Sequence, residues 1–241
     1  MARFAELLPV LARVEQLLLP AECLLCQDAV PTREADALIC GACRSRWPPV
    51  SPPWCIRCGG PVGRDEPCTA CAAWPPVLAR VRSAVWLDDA SRRAVHHLKY
   101  DGWWRVAEAL ARAMRGLEPL TGRLSLIPIP LGSRRLRRRG YNQSERIAAA
   151  LARATGAPVR DVLRRTRETP SQTALTPEER AANVDGAFLA SARLDGRCVL
   201  VDDVFTTGAT LLAAAAALRA AGAEQIDAVT FARARNAVGQ D

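Results

Sequence analysis

The chain has 241 residues, enough for one α/β domain and a small accessory module, and 49% of them are hydrophobic, as in folded proteins. No apolar stretch reaches the ~20 residues of a bilayer-spanning helix, and residues 1–21 lack the layout of a secretory signal, so we expect a cytoplasmic protein without membrane insertion. The net charge is +8, but Lys99 is the only lysine among 33 basic residues. Such a preference for arginine over lysine suggests a codon bias. The total number of arginines therefore says little about binding partners, whereas their positions in the sequence are informative.

Residues 1–21 have the leucine pattern of a helix, and a cysteine-rich segment, residues 22–76, follows them. Eight of the nine cysteines form four Cys-x-x-Cys pairs: Cys23/Cys26, Cys40/Cys43, Cys55/Cys58 and Cys68/Cys71. Because nothing in the sequence indicates an oxidising compartment, we favour two structural zinc sites, each with four cysteine ligands, over disulfides or iron–sulfur clusters. Taking the pairs in chain order is the simplest assignment of ligands to sites, and an interleaved arrangement is the alternative.

This segment, here called the zinc module, is too small to bury much apolar surface, so the metal is expected to supply its folding energy. The prolines of residues 44–54 and 72–76 exclude regular helices and central strands in those two segments. Trp47, Trp54 and Trp74 are expected to cover the metal sites and the junction with the next domain, and stacking on nucleic-acid bases is the alternative.

Residues 77–236 alternate between strand and helix patterns, which predicts a mostly parallel sheet with helices on both faces. The predicted strands cover 81–87, 124–129, 159–163, 199–201 and 226–232. The predicted helices cover 91–100, 103–115, 142–154 and 210–221. Because such sheets bind ligands at the carboxyl ends of their strands, we expect the functional residues there.

The most informative segment is residues 199–210, in which an apolar strand is followed by two aspartates and a turn of small residues that leads into a helix. Adjacent carboxylates can accept hydrogen bonds from two ribose hydroxyls. The amides and hydroxyls of the turn, assisted by the helix dipole, can surround a phosphate. The alternative interpretation is a buried strand that ends in a solvated turn. It would explain the valines of this segment but not the small residues at positions 206–210. The predicted sugar-phosphate ligands are Asp202, Asp203, Thr206, Thr207, Gly208, Ala209 and Thr210.

An arginine-rich segment follows the predicted strand at 124–129. Residues 131–167 contain eleven arginines but only two acidic residues. Guanidinium groups bind phosphate oxygens in a bidentate manner, so Arg134, Arg135 and Arg139 are predicted to contact a pyrophosphate group. A solvated basic face, or a surface for a single-stranded nucleic-acid backbone, is the alternative.

Two further features extend this prediction. The polar stretch 164–184 is longer than an ordinary loop, which indicates a functional lid carrying Arg167 and Arg180, or disorder. Lys99 is predicted to reach a phosphate, and a role at the end of a surface helix is the alternative.

Together these features resemble the ComF family of competence-associated proteins, in the form with a double zinc ribbon. Besides the cysteine pairs, the matching motifs are His97-Leu98-Lys99-Tyr100, Arg139-Gly140-Tyr141-Asn142-Gln143-Ser144 and the segment 201–210, which resembles the phosphoribosyl pyrophosphate (PRPP) motif of type I phosphoribosyltransferases. The resemblance implies a type I phosphoribosyltransferase-like α/β domain after a small zinc-ribbon module. It further implies Mg²⁺-PRPP as ligand, Asp202 and Asp203 as catalytic residues, and a link to natural transformation.

Three functions are compatible with this sequence. The first is a PRPP-binding, phosphoribosyltransferase-like protein that acts in DNA uptake together with other uptake proteins. The second is a non-catalytic adaptor that binds single-stranded DNA, and the third is a nucleobase salvage phosphoribosyltransferase. The aspartates favour the first, since a DNA adaptor gains nothing from carboxylates beside its phosphate groove. The third is weakened because the sequence identifies no acceptor pocket, and whether turnover occurs stays open.

Overall fold

The computed structural model describes residues 21–31, 34, 37–63, 67–166 and 186–235. The helix expected over residues 1–21 therefore lies almost entirely outside the described residues, as do Arg167, Arg180 and most of the stretch 164–184. No helix in the described part of the chain is both long enough and apolar enough to cross a membrane.

The centre of the α/β domain is a four-stranded parallel sheet. Its strands are Arg80–Trp86 (β1), Ser125–Pro128 (β2), Arg197–Phe205 (β5) and Gln225–Arg233 (β6). Their order is β1-β6-β5-β2, and all neighbouring pairs are parallel. The two central strands, β5 and β6, are almost continuously buried, as expected where both faces of a parallel sheet are covered. The parallel sheet predicted from the sequence is confirmed.

Helices cover both faces of this sheet: Asp89–Tyr100 (α2), Val106–Met114 (α3) and Gln143–Thr155 (α5) lie on one face, and Ala209–Ala220 (α6) lies on the other. Two shorter helices are Gly41–Ser45 (α1), in the zinc module, and Ser133–Arg139 (α4), which has no buried residue. One core holds Leu98, Leu110 and Ile147 of α2, α3 and α5 against one face of the sheet. The other holds Leu211 and Leu218 of α6 against the opposite face. Alternating strand and helix patterns thus produced the three-layer arrangement that they predict.

Two strand predictions need correction. The segment 159–163 does not join the sheet as a strand, because Val159 makes a single bridge with Leu126. The chain then turns away, and Leu163–Arg165 (β3) pairs antiparallel with Phe188–Ala190 (β4) in a separate two-stranded sheet. Packing explains this path, because Leu163 of β3 and Phe188 of β4 belong to the same core as α6.

The strand predicted over 199–201 is also longer than expected. It continues to Phe205 because β6 offers pairing partners beyond the end of β2: Asp202 is opposite Thr230, and Val204 is opposite Ala232. Asp202 and Asp203 therefore lie inside the strand rather than beyond its end, which fixes their backbone.

The zinc module packs along the outer edge of β1. The Trp86 amide donates to the Pro48 carbonyl (2.8 Å), and the Val81 amide donates to the Arg57 carbonyl (2.7 Å). Trp47 is buried at this junction, with its ring edge-on to Phe231 at a centroid distance of 4.9 Å. The module thus covers a strand edge that would otherwise expose unpaired backbone groups.

Candidate functional site

A cleft of about 540 Å³ opens at the carboxyl ends of the strands. It lies between the C-terminal half of α2, the α4–α5 segment and the turn of residues 206–208 that joins β5 to α6, here called the β5–α6 turn. The sequence-predicted site residues that line it are Lys99, Arg135, Arg139, Asp202, Asp203, Thr206, Gly208 and Thr210. Thr207 and Ala209 belong to the same turn and helix start without lining the cleft, and Arg134 lies outside the lining.

The two aspartates are held by side chains from different elements. Asp203 is 3% exposed, forms an ion pair with Lys99 of α2, and accepts a hydrogen bond from Gln143 Nε2 (3.1 Å). Asp202 accepts from Ser144 Oγ (2.9 Å) and from the Asp203 amide (2.9 Å). Gln143 and Ser144 stand in the first turn of α5, so this helix start orients both carboxylates.

The start of α5 is itself tied to the end of β2. The side chain of Asn142 accepts from the Ser144 amide (3.0 Å), which caps the helix, and donates to the Ile129 carbonyl (2.9 Å). Gln143 and Ser144 appear in the motif quoted above, but sequence reasoning assigned them no role. The sequence shows these residues only as a polar run at a helix start, and their burial, which identifies them, is visible only in the structure.

The neighbouring carboxylates differ in protonation. Burial, together with the charge of Asp203, raises the pKa of Asp202 to about 7. Burial also opposes ionisation of Asp203, but the Lys99 ammonium and the Gln143 amide outweigh it and hold the pKa of Asp203 below its usual range. Between the two pKa values the pair thus carries a single negative charge. Such separated pKa values within a cleft are typical of functional sites.

The β5–α6 turn presents a helix N-terminus to the cleft. Gly208 is the N-cap of α6 and adopts the left-handed conformation, with φ of 84°. Glycine has no side chain to cap the helix, and among the first-turn amides that of Ala209 donates to Thr207 Oγ1 (3.5 Å). These amides and the positive end of the helix dipole favour an anion such as phosphate.

Arginines form the opposite wall of the cleft. Helix α4 places Arg135, Arg138 and Arg139 on one side, because residues three and four apart share a helix face. Arg139 donates to Gln143 Oε1, and its guanidinium lies 5.5 Å from the ring centroid of Tyr100. Arg138, also part of the arginine-rich segment predicted from the sequence, lines the cleft, whereas Arg134, one turn before it in α4, does not. Which of these arginines line the cleft depends on how α4 is placed against it, and the sequence does not show this.

The eight paired cysteines form two clusters that follow chain order, Cys23/Cys26/Cys40/Cys43 and Cys55/Cys58/Cys68/Cys71, as the simpler assignment predicted. The Sγ atoms of Cys55 and Cys71, and of Cys58 and Cys68, lie 3.6 Å apart. Four thiolates at ~2.3 Å from Zn²⁺ would stand roughly 3.8 Å from one another, so both clusters fit this ion. Cys198, the ninth cysteine, is instead fully buried in β5, where it packs as a small apolar residue.

Comparison with known proteins agrees with this two-part arrangement. The double zinc ribbon domain matches residues 14–72, and the phosphoribosyl transferase domain matches residues 138–241. DNA utilization protein YhgH of Salmonella typhi is 34% identical over 222 residues, which cover 87% of this chain and 96% of that protein. Competence protein ComFC of Bacillus subtilis is 27% identical, with coverage of 88% and 94%.

Two further similarities cover less of the chain. Competence protein F of Haemophilus influenzae is 37% identical over 115 residues, which are 46% of this chain and 50% of that protein. Orotate phosphoribosyltransferase from Aeropyrum pernix is 23% identical at a TM-score of 0.33, covering 63% of this chain and 68% of that one, and the assignment does not depend on it. With a full-length relative at 34% identity and both domains matched, the chain belongs to the ComF family, in which a double zinc ribbon precedes a phosphoribosyltransferase domain.

Proposed function

We propose that this protein binds PRPP in the cleft, together with Mg²⁺, and acts in DNA uptake. The observation that carries the proposal is the aspartate pair, oriented by Gln143 and Ser144, beside a helix N-terminus with a glycine cap. The DNA-uptake part is supported by relatives that are named as competence and DNA utilization proteins.

In this proposal each part of the cleft binds one part of the ligand. Asp202 and Asp203 accept hydrogen bonds from the two ribose hydroxyls, and the amides and hydroxyls of residues 206–210 surround the 5′-phosphate. Lys99 keeps Asp203 ionised and therefore able to accept. Bound Mg²⁺ would neutralise part of the pyrophosphate charge beside the same carboxylates.

The arginine wall suits the departure of pyrophosphate. When the anomeric C–O bond breaks, negative charge grows on the leaving group, and Arg135, Arg138 and Arg139, which line the cleft, would neutralise it. Arg134 stays a weaker prediction for this role because it does not line the cleft. Arg167 and Arg180, outside the described residues, stay predictions for a lid.

The proposal is tested by calorimetry of PRPP with Mg²⁺. Asp202→Asn and Asp203→Asn each remove a charged acceptor from the ribose site, so we expect about a tenfold loss of affinity per residue. Asp195→Asn is the matched control, because the Asp195 side chain is 89% exposed. Unchanged affinity in a folded double variant would show that the ligand site is elsewhere. Pyrophosphate release in the presence of free bases or single-stranded DNA would separate turnover and salvage from binding alone.

A second candidate, binding of single-stranded DNA, is favoured by an exposed aromatic surface next to the cleft. Tyr100 is 59% exposed, and Trp103 and Trp104 are each 44% exposed. The Arg146 guanidinium lies 4.8 Å from the ring centroid of Trp104. Exposed rings interleaved with guanidinium groups are typical of surfaces on which bases stack while the backbone is neutralised.

If the protein binds single-stranded DNA on this surface, its affinity for DNA should fall as the salt concentration rises. The arginines and the aromatic rings should contribute to that affinity separately. Each phosphate contact adds about −0.7 to the slope of log affinity against log salt, so Arg135→Gln with Arg138→Gln should flatten the slope by about one unit or more. Trp103→Ala with Trp104→Ala should weaken binding about tenfold and leave the slope unchanged. Arg115→Gln and Leu189→Ala, both at exposed positions, are the controls. Equal effects of control and test variants would contradict this binding surface.

A further inference from the structure

The second cysteine cluster lies directly behind the β5–α6 turn, and Trp74 connects the two. The Trp74 amide donates to the Cys71 carbonyl (3.1 Å), so the residue is anchored to the cluster. A Cβ atom added to Gly208 would lie 2.8 Å from Trp74 Cζ2 and 3.2 Å from Phe205 Cε2. The indole ring therefore fills the space beside the left-handed N-cap of α6, while Trp74 itself does not line the cleft.

Arg57 holds Trp74 in this position. Its Nη1 atom donates to the carbonyls of Cys71 (3.3 Å) and Trp74 (3.1 Å), and its guanidinium lies 5.8 Å from the indole centroid. Arg57 belongs to the Cys55–Cys58 turn, whereas Trp74 follows the Cys68–Cys71 turn. Zinc bound to all four cysteines would join these two turns, so the position of the indole ring depends on an intact cluster.

Arg233 forms a second connection. It is the last residue of β6, is 4% exposed, and donates from Nη1 to the Cys58 carbonyl (2.8 Å). Its guanidinium also lies 4.3 Å from the ring centroid of Phe205, the last residue of β5. The Phe205 ring thus has the Arg233 guanidinium as one neighbour and the Trp74 ring as another. The centroids of the Phe205 and Trp74 rings lie 6.1 Å apart. Because four thiolates and one Zn²⁺ carry a net charge of about −2, a loaded cluster also compensates this buried cation.

We infer that the Cys55/Cys58/Cys68/Cys71 zinc site braces the β5–α6 turn through Trp74 and Arg233, and thereby sets the affinity of that turn for the ligand phosphate. The inference rests on the proposed function, and it makes Trp74 a positioning residue that does not touch the ligand. The amides of the α6 N-terminus bind phosphate only in a defined orientation, so a small displacement of the turn weakens every hydrogen bond to it.

The test compares two tryptophans of the zinc module in the full, zinc-loaded chain. Trp74→Ala should weaken PRPP binding in calorimetry by about tenfold or more, and Trp74→Phe should restore most of it because a ring again fills the space. Trp54→Ala is the matched control: Trp54 is also half-buried and lies 5.8 Å from a guanidinium, that of Arg82, but it does not contact the β5–α6 turn. Wild-type affinity in Trp74→Ala, or an equal loss in Trp54→Ala, would overturn the inference.

Hydrogen exchange measured without PRPP distinguishes this inference from the proposed function. In Trp74→Ala the amides of residues 206–211 should exchange faster than in the wild type, whereas Trp54→Ala should leave them unchanged. Zinc content measured on the same samples should remain two equivalents. If the wild type binds no PRPP but this exchange difference is found, the proposed function fails and the brace stands. If PRPP binds and the exchange is identical in all variants, the brace fails and the proposed function stands.

Discussion

At the scale of single residues, two adjacent aspartates acquire different properties from their neighbours. Asp203 faces an ammonium and an amide donor, whereas Asp202 has a hydroxyl and a backbone amide as donors and must ionise beside a charge of the same sign. The chemical identity of both residues is the same, so the difference arises from α2 and α5. Asp202 is consequently the group whose charge changes near neutral pH.

This difference predicts a pH dependence of stability. The pKa of Asp202 is raised from 3.8 to about 7, so between these pH values the folded chain holds a proton that the unfolded chain has released. The resulting stabilisation is fully present below pH 3.8 and is lost as pH rises through 7. Asp202→Asn should therefore gain urea resistance relative to the wild type between pH 5 and pH 8. The control Asp195→Asn should show no such trend, and a constant difference for Asp202→Asn would contradict the assigned shift.

The same group predicts how ligand affinity changes with pH. A protonated Asp202 has lost its charge, so its hydrogen bonds from ribose hydroxyls are weaker than those of the carboxylate. PRPP affinity should rise as pH increases through about 7 and then level off. Asp202→Asn should remove this rise, because the asparagine side chain does not titrate in this range. A rise that persists in the variant would assign the titration to another group.

At the scale of secondary-structure elements, the junction of β5 and α6 is the most constrained part of the cleft. β5 is paired to its last residue with β6, and the next helix begins after a turn of three residues. Gly208 must adopt a positive φ there and must leave room for an indole ring. Backbone conformation and packing thus both require glycine at this position.

Gly208→Ala tests these two requirements against a matched glycine. At Gly156, φ is also positive (73°), but a Cβ there would meet no atom within 4 Å. Gly156→Ala should lower the unfolding free energy by about 1–2 kcal/mol, because alanine is strained in the left-handed conformation and no other contact is disturbed. Gly208→Ala should cost more, by about 1–3 kcal/mol, because the Trp74 ring must also move. In a Trp74→Ala background the excess should disappear, and equal costs at both glycines would contradict the packing described here.

At the scale of the whole molecule, the zinc module completes the α/β domain instead of forming an independent unit. It pairs with the outer edge of β1 and contacts the β5–α6 turn through Trp74. Loss of metal from the module should therefore affect the sheet as well as the module. The sequence alone predicts that loss of zinc unfolds only the N-terminal zinc module. The contacts of the module with β1 and with Gly208 predict a wider effect.

Removal of one zinc site tests this dependence. The wild type should contain two equivalents of zinc, and Cys55→Ser with Cys58→Ser should contain one, because a site built from four cysteines does not survive the loss of two ligands. The variant should also associate at raised concentration, since the edge of β1 becomes available for pairing with another chain. Elemental analysis and light scattering measure these effects, with Cys198→Ser as a control for loss of a cysteine outside the clusters. Iron in the wild type, or a monomeric variant at all concentrations, would contradict the prediction.

Features that depend on local spacing could be predicted from the sequence alone. Cys-x-x-Cys pairs indicate metal ligands because two cysteines in one turn can reach one ion. The segment of a strand, two aspartates, a turn of small residues and a helix indicated a sugar-phosphate site, because these groups are adjacent in the chain. Alternating strand and helix patterns indicated the parallel sheet. These are properties of residues within a few positions of one another.

Which distant residues meet depends on the tertiary structure. Lys99 and Gln143 reach Asp203 across long stretches of chain, and Trp74 reaches Gly208 from the zinc module. The direction that the chain takes after Val159 likewise depends on packing, because Leu163 and Phe188 join the core that contains α6. Periodicity reports which residues are buried but not which partner buries them, because that choice depends on the shape and volume of the whole core.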